Sequence, residues 1–156
     1  MCIRDSHSIE PTRLANVRRF LMGITTNHSG DVLSLLSPDV VYTVTGHSPF
    51  AGVFHGPAEV YAYVRELFRV TSNTIEILKW VDWLVGETHI AALQLAQAQG
   101  GSARYRNYHL FVVETGPTDL LTDIRILSLI HICTPDGEHP RADLVRGRSP
   151  SRRHGK

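Results

Sequence analysis

Two long stretches that alternate apolar and polar residues, separated by a pair of glycines, restrict the fold of this chain more than any other feature. From Thr88 to Gln99 the residues His89, Ala91, Leu93, Leu95 and Gln97 share one face. From Ser102 to Glu114 the residues Tyr105, Asn107, His109, Phe111 and Val113 share another, with Gly100 and Gly101 between the two runs. Period-two alternation of this length belongs to β-strands, and a glycine pair between two such runs marks a hairpin. Upstream, Thr74 to Val85 reads as a further long strand, with Ile75, Ile77, Val81 and Trp83 alternating against Glu76, Leu78, Trp80 and Asp82. It is apolar on much of both faces, as in a strand covered on both sides. Downstream, Gly116 to Asp119 forms a turn and Leu121 to Ile126 begins a last strand.

The first half of the chain follows a different period. Leu14, Val17, Phe20, Leu21 and Ile24 recur every three or four residues and place one apolar face on a helix, which Asn27 to Gly30 ends. Asp31 to Leu36 reads as a short second helix that buries Val32, Leu35 and Leu36. Val40 to Val44, rich in β-branched residues, reads as a strand broken by Gly46, Ser48 and Pro49. A loop carrying Phe50 and Phe54 follows, placed to cover a cavity. Gly56 and Pro57 then open a third helix, because proline suits the first turn, where its missing N–H has no partner to lose. That helix carries Val60, Val64, Leu67 and Phe68 on one side. Helices followed by hairpin-linked strands predict an α+β fold, and a curved sheet around helices makes a cone whose open end suits a small molecule.

The run VVYTVTGHSPFAGVFHGP, Val40 to Pro57, resembles the SnoaL-like branch of the nuclear transport factor 2-like superfamily, which also holds ketosteroid isomerases. Tyr42, Gly46, Ser48, Pro49, Phe50, Ala51, Gly52, Phe54 and Gly56 occupy the places of the family pattern. Thr45 stands where proline is usual and Tyr42 where tryptophan is usual. The resemblance extends over roughly residues 14–125. It implies a cystatin-like cone, a mostly antiparallel curved sheet wrapped around three N-terminal helices. It also implies a small hydrophobic carbonyl-type ligand, cofactor-independent isomerase, cyclase or hydrolase chemistry, and pairing of two copies through the outer sheet face. Such a motif marks a fold better than a reaction.

Composition excludes several alternatives. The 156 residues, 42% hydrophobic and 20% charged, suffice for one globular domain. After Cys133 six Lys and Arg face three Asp and Glu, and before it ten face twelve, so the domain itself is mildly acidic. That argues against a nucleic-acid surface, which needs clustered cations. No apolar run is long enough to span a bilayer and no signal-peptide pattern is present, so no membrane partner and a cytoplasmic location are expected. Cys2 and Cys133 have no metal-ligand spacing, and no metal or organic cofactor is implied. The opening MCIRDSHSIEPTRL and the stretch LSLIHI at Leu127 to Ile132 resemble translated sequencing-adapter text. Residues 1–13 are accordingly read as a non-native or disordered leader, 14–132 as the SnoaL-like domain, and 133–156 as a disordered or non-native basic tail. LSLIHI can still prolong the last strand, because it is apolar and β-compatible.

The chemistry-bearing candidates are few. Proton transfer between carbons needs a positioned carboxylate, yet Val40 to Gly56 contains neither Asp nor Glu, so the ketosteroid isomerase base does not carry over. His47 and His55 are the titratable groups there, either a base near neutral pH or a loop histidine open to water. His109 shares its strand face with Asn107 and Phe111, which would set an imidazole and an amide in an apolar cavity. It is either a group that binds or polarises a carbonyl or a core histidine tied to backbone. In SnoaL-like cyclases a His and an Asp of the late strands take part in ring closure, and the similar places here are His109 and Asp123. Tyr42, Phe50, Phe54, Tyr63, Trp83, Asn107 and Phe111 are the expected ligand contacts. Asp82 between two tryptophans, and Arg104 with Arg106, read more readily as surface residues. Two function classes stay open, a cofactor-independent enzyme and a non-catalytic ligand-binding or dimerisation module.

Overall fold

The computed structural model describes residues 10–26, 28–46, 49–100 and 103–131. Helix α1, Glu10–Thr25, is followed by a single α-turn, α2, Ser29–Val32, and a 3₁₀ turn at Leu33–Leu35. Strand β1, Leu36–Val44, leads through a turn to β2, Gly52–His55, and helix α3, Gly56–Val70. Four long strands complete the described chain: β3 Glu76–Val85, β4 His89–Gly100, β5 Ala103–Thr115 and β6 Leu121–His131. They form one six-stranded sheet in the order β2-β1-β6-β5-β4-β3. All neighbours are antiparallel except β1 and β6. The mixed sheet and its two full helices make the expected α+β cone.

Four expectations change. The second helix shrinks to one turn, so two full helices, not three, lie against the sheet. The supposed loop after β1 contains strand β2, which pairs Val41 with His55 through Val44 with Gly52. Glu10 to Arg13, read as leader, form the first turn of α1. There Arg13 donates to Thr115 Oγ1 and to the Glu87 carbonyl, each at 2.8 Å. Finally, β3 does not alternate simply. Its register against β4 shifts between Ile77 and Lys79 and again between Trp80 and Asp82. Each extra residue turns the next side chains over. Ile77, Trp80 and Trp83 therefore all face inward, opposite Ala96, Gln94 and Ala92.

The core lies between the concave sheet face and the two helices. Val17, Phe20, Leu21 and Ile24 of α1 and Val60, Val64 and Phe68 of α3 are buried in one cluster with Val40, Tyr42, Val44, Ile90, Phe111, Val113, Ile124 and Ile126. The helical spacing read from the sequence is thus the spacing that is buried. Entry into α3 is local chemistry. Gly56 takes φ +74°, Pro57 sits in the first turn, and the Glu59 carboxylate accepts the His55 N–H at 2.7 Å. Pro38 lies where β1 and β6 lose register between Leu36 and Val41, as a residue without an N–H donor should.

Candidate functional site

The register of β3 to β6 orders the concave face into rows. Ile77, Ala96 and Asn107 form one row, Trp80, Gln94, His109 and Ser128 the next, and Trp83, Ala92, Phe111 and Ile126 a third. Side chains alternate strictly along β4 and β5, so a polar residue at an inward position must find its partners across neighbouring strands. Gln94 does so by donating from Nε2 to His109 Nδ1 at 3.3 Å. Accepting at Nδ1 leaves the imidazole proton on Nε2, which has no hydrogen-bond partner among the described residues. Asn107 donates from Nδ2 to Ser128 Oγ. The Phe111 ring meets the His109 ring edge-on, with centroids 6.3 Å apart. Burial among these groups lowers the His109 pKa from its ordinary value and favours the neutral ring.

The apolar walls come from either side. Trp80 and Trp83 pack with centroids 4.9 Å apart, and the Arg18 guanidinium of α1 lies 4.9 Å over the Trp83 ring. On the β1 side, Tyr42, Phe54 and Tyr63 form an aromatic trio with centroid separations of 4.6 to 6.4 Å. Burial raises the Tyr63 pKa to about 12 and pushes that of Tyr42 well above its ordinary value, so both are neutral phenols.

The expected site residues therefore divide. His109, Asn107, Phe111 and Trp83 meet on the concave face of β3 to β5. Tyr42, Phe54 and Tyr63 gather at β1, β2 and α3. Phe50 lies half-buried in the turn before β2. Asp123 is not brought to His109. It is in register with Glu114 and Val41 on the opposite, convex face, where it accepts from Arg125 Nε at 2.9 Å. The His–Asp pairing carried over by resemblance fails because 109 and 123 occupy opposite phases of their strands. His55 is exposed at the start of α3, and His47 lies outside the described residues. Asp82 is exposed and accepts the Trp83 N–H. Arg104 and Arg106 are exposed as well. Sequence reasoning missed Gln94, Trp80 and Ser128. Gln94 had a signal: an amide two residues from an alanine on either side, at the centre of a strand's inward phase.

The SnoaL-like domain profile matches residues 17–117, more than half of the chain. This chain belongs to the SnoaL-like family. No curated protein sequence matches it. Among solved structures, a nuclear transport factor 2-like protein from Burkholderia xenovorans LB400 superposes with a TM-score of 0.64 at 16% identity, covering 76% of this chain and 90% of that one. An LEH-like epoxide hydrolase from M. tuberculosis gives 0.60 at 16% identity, covering 76% and 84%. The Δ5-3-ketosteroid isomerase of a Mycobacterium species gives 0.60 at 12% identity, covering 77% and 98%. At such identities the likeness is one of fold. Among the described residues, no helix is long and apolar enough to cross a membrane.

Proposed function

We propose that this SnoaL-like domain binds a small hydrophobic molecule against the concave face of β3 to β5 and orients a carbonyl-type oxygen on His109 Nε2. The observation that carries the reading is the single imidazole held by Gln94 among Trp80, Trp83 and Phe111. A neutral ring with its proton on Nε2 is a donor, and a donor in an apolar wall binds an acceptor oxygen more strongly than water-exposed groups do. An isomerase, cyclase or hydrolase activity would rest on that polarisation, with neither metal nor organic cofactor. Among the described residues the sheet's carboxylates point away from the concave face, with Asp39, Glu76 and Asp82 exposed and Glu114 and Asp123 on the convex side. That favours a second reading, a non-catalytic binding module with the same ligand chemistry.

A panel of hydrophobic ketones and polyketide-like compounds, read for binding and for turnover, separates the two. His109→Phe keeps an aromatic of similar size and is expected to weaken ketone binding by about 0.5–1.5 kcal/mol, the worth of one hydrogen bond. Its denaturation midpoint should move little. Lost stability with undiminished ketone affinity would return His109 to a structural role.

A further inference from the structure

We infer that the concave face carries a subsite for a ligand hydroxyl group, built from the side-chain oxygens of Gln94 and Asn107. Gln94 is only 2% exposed. Its Nε2 is engaged by His109, and its Oε1 is buried without a hydrogen-bond partner among the described residues. Asn107 repeats the pattern, with Nδ2 donating to Ser128 Oγ and Oδ1 buried and unpartnered. Native structures rarely leave buried polar atoms in this condition, because each forfeits its hydration without replacement.

The two amides are neighbours on one face. Gln94 is opposite His109 and Asn107 opposite Ala96, so they stand diagonally across the β4–β5 ladder. Around them the inward groups are mostly hydrocarbon, Ile77, Ala92, Ala96 and Phe111, which offer no donor. The Trp80 indole N–H makes no bond to either oxygen among the described residues. Ser128 Oγ accepts from Asn107 Nδ2 and keeps its own proton to give, so the unmet capacity is two acceptors, Gln94 Oε1 and Asn107 Oδ1, and two donors, His109 Nε2–H and the Ser128 O–H. A ketone or an ether answers only a donor. A hydroxyl answers both kinds, because its proton goes to an amide oxygen while its lone pair takes the Nε2–H. The ligand class that fits is a neutral, largely apolar molecule bearing an alcohol or phenol. This inference deepens the small-molecule reading above and rests on it. Its competitor is a water molecule that satisfies the same oxygens and stays when the ligand enters.

Calorimetry with three probes of one shape distinguishes these outcomes: 2-naphthol, 2-methoxynaphthalene, which lacks the donor, and 2-acetonaphthone, which offers only an acceptor. The expected result is that 2-naphthol binds about tenfold more tightly than 2-methoxynaphthalene. That ratio should fall towards one in Gln94→Met, which keeps the side-chain length without the amide, and in Asn107→Leu. Equal affinities of 2-naphthol and 2-methoxynaphthalene for the unsubstituted protein overturn the hydroxyl subsite. If 2-acetonaphthone binding then still depends on His109, the pocket reading stands. A preference for 2-naphthol that survives in both variants also overturns the subsite. Binding of none of the three overturns both readings. The comparison on the unsubstituted protein is decisive even where a variant does not fold.

Discussion

Burial makes the His109 ring reluctant to take a proton, and this has a consequence for stability as well as for binding. Its folded-state pKa lies below the ordinary value of 6.5, with desolvation as the cause. On acidification the unfolded chain therefore takes up this proton before the folded one does, and proton uptake by the unfolded state draws the equilibrium towards it. The contribution is intact above pH 6.5, declines as the pH falls through that value, and is fully lost below the folded-state pKa. Urea midpoints measured between pH 7.5 and 5 should fall for the unsubstituted protein. They should fall less steeply for His109→Phe, which has no proton to take up. Parallel pH profiles for the two proteins would mean that His109 is hydrated in the folded state. Neither Tyr42 nor Tyr63 can act as a base in this range, since burial holds both phenols neutral.

Two devices at the scale of elements decide where the site side chains point. In β3, the paired register shifts convert a nominal period of two into an inward spacing of three and bring both tryptophans to the concave face. Simple alternation from the sequence put Trp80 and Trp83 on opposite faces. At the entry to α3, Gly56 adopts φ +74°, where an added Cβ would also stand 3.3 Å from the Pro38 carbonyl oxygen. An L-residue in the left-handed region costs about 1–2 kcal/mol. Gly56→Ala should lower the unfolding free energy by about that amount, measured by urea denaturation. A change within a few tenths of a kcal/mol would show that the chain reverses here without strain. Gly23 marks a second close approach, since a Cβ there would lie 2.5 Å from Val32 Cγ1, which explains how α1 and the α2 turn pack so tightly.

For the molecule as a whole, the convex sheet face is the surface still to be accounted for. Leu93, Leu110 and Leu127 are in register across β4, β5 and β6, flanked by Leu95 and Tyr108 on one side and by Ala91 and Val112 on the other. Tyr108 and Leu127 are exposed, at 45% and 42%. Around this patch stand charges of both signs, Lys79, Arg106 and Arg125 with Asp82, Glu114 and Asp123. An apolar centre with a rim of both signs can meet its own copy about a twofold axis, like against unlike. We propose a homodimer through this face. Sedimentation equilibrium should return twice the 17.4 kDa chain mass at micromolar concentration. Leu110→Arg, which sets two like charges in the middle of the interface, should return the single-chain mass without loss of fold. A monomer for the unsubstituted protein would remove the proposal.

What the sequence determined by itself was everything governed by local period and local backbone chemistry. The apolar faces of α1 and α3, the Gly-Pro entry to α3, the β4–β5 hairpin and the shared face of Asn107, His109 and Phe111 were all legible, because each depends on residues only a few places apart. The family resemblance was legible too, in the run from Val40 to Pro57, which carries its own turn and helix start. Tertiary structure alone decided which strands pair and in what register, since those choices are made by residues far apart in the chain. The β5–β6 register set His109 beside Ser128 and sent Asp123 to the other face. The β3–β4 bulges brought Trp80 level with Gln94. The Gln94 amide could be recognised as His109's partner only once β4 lay against β5, because a hydrogen bond between positions fifteen residues apart has no local signature. Its unpaired oxygen, on which the proposed ligand chemistry turns, is a property of burial, and burial belongs to the assembled cone.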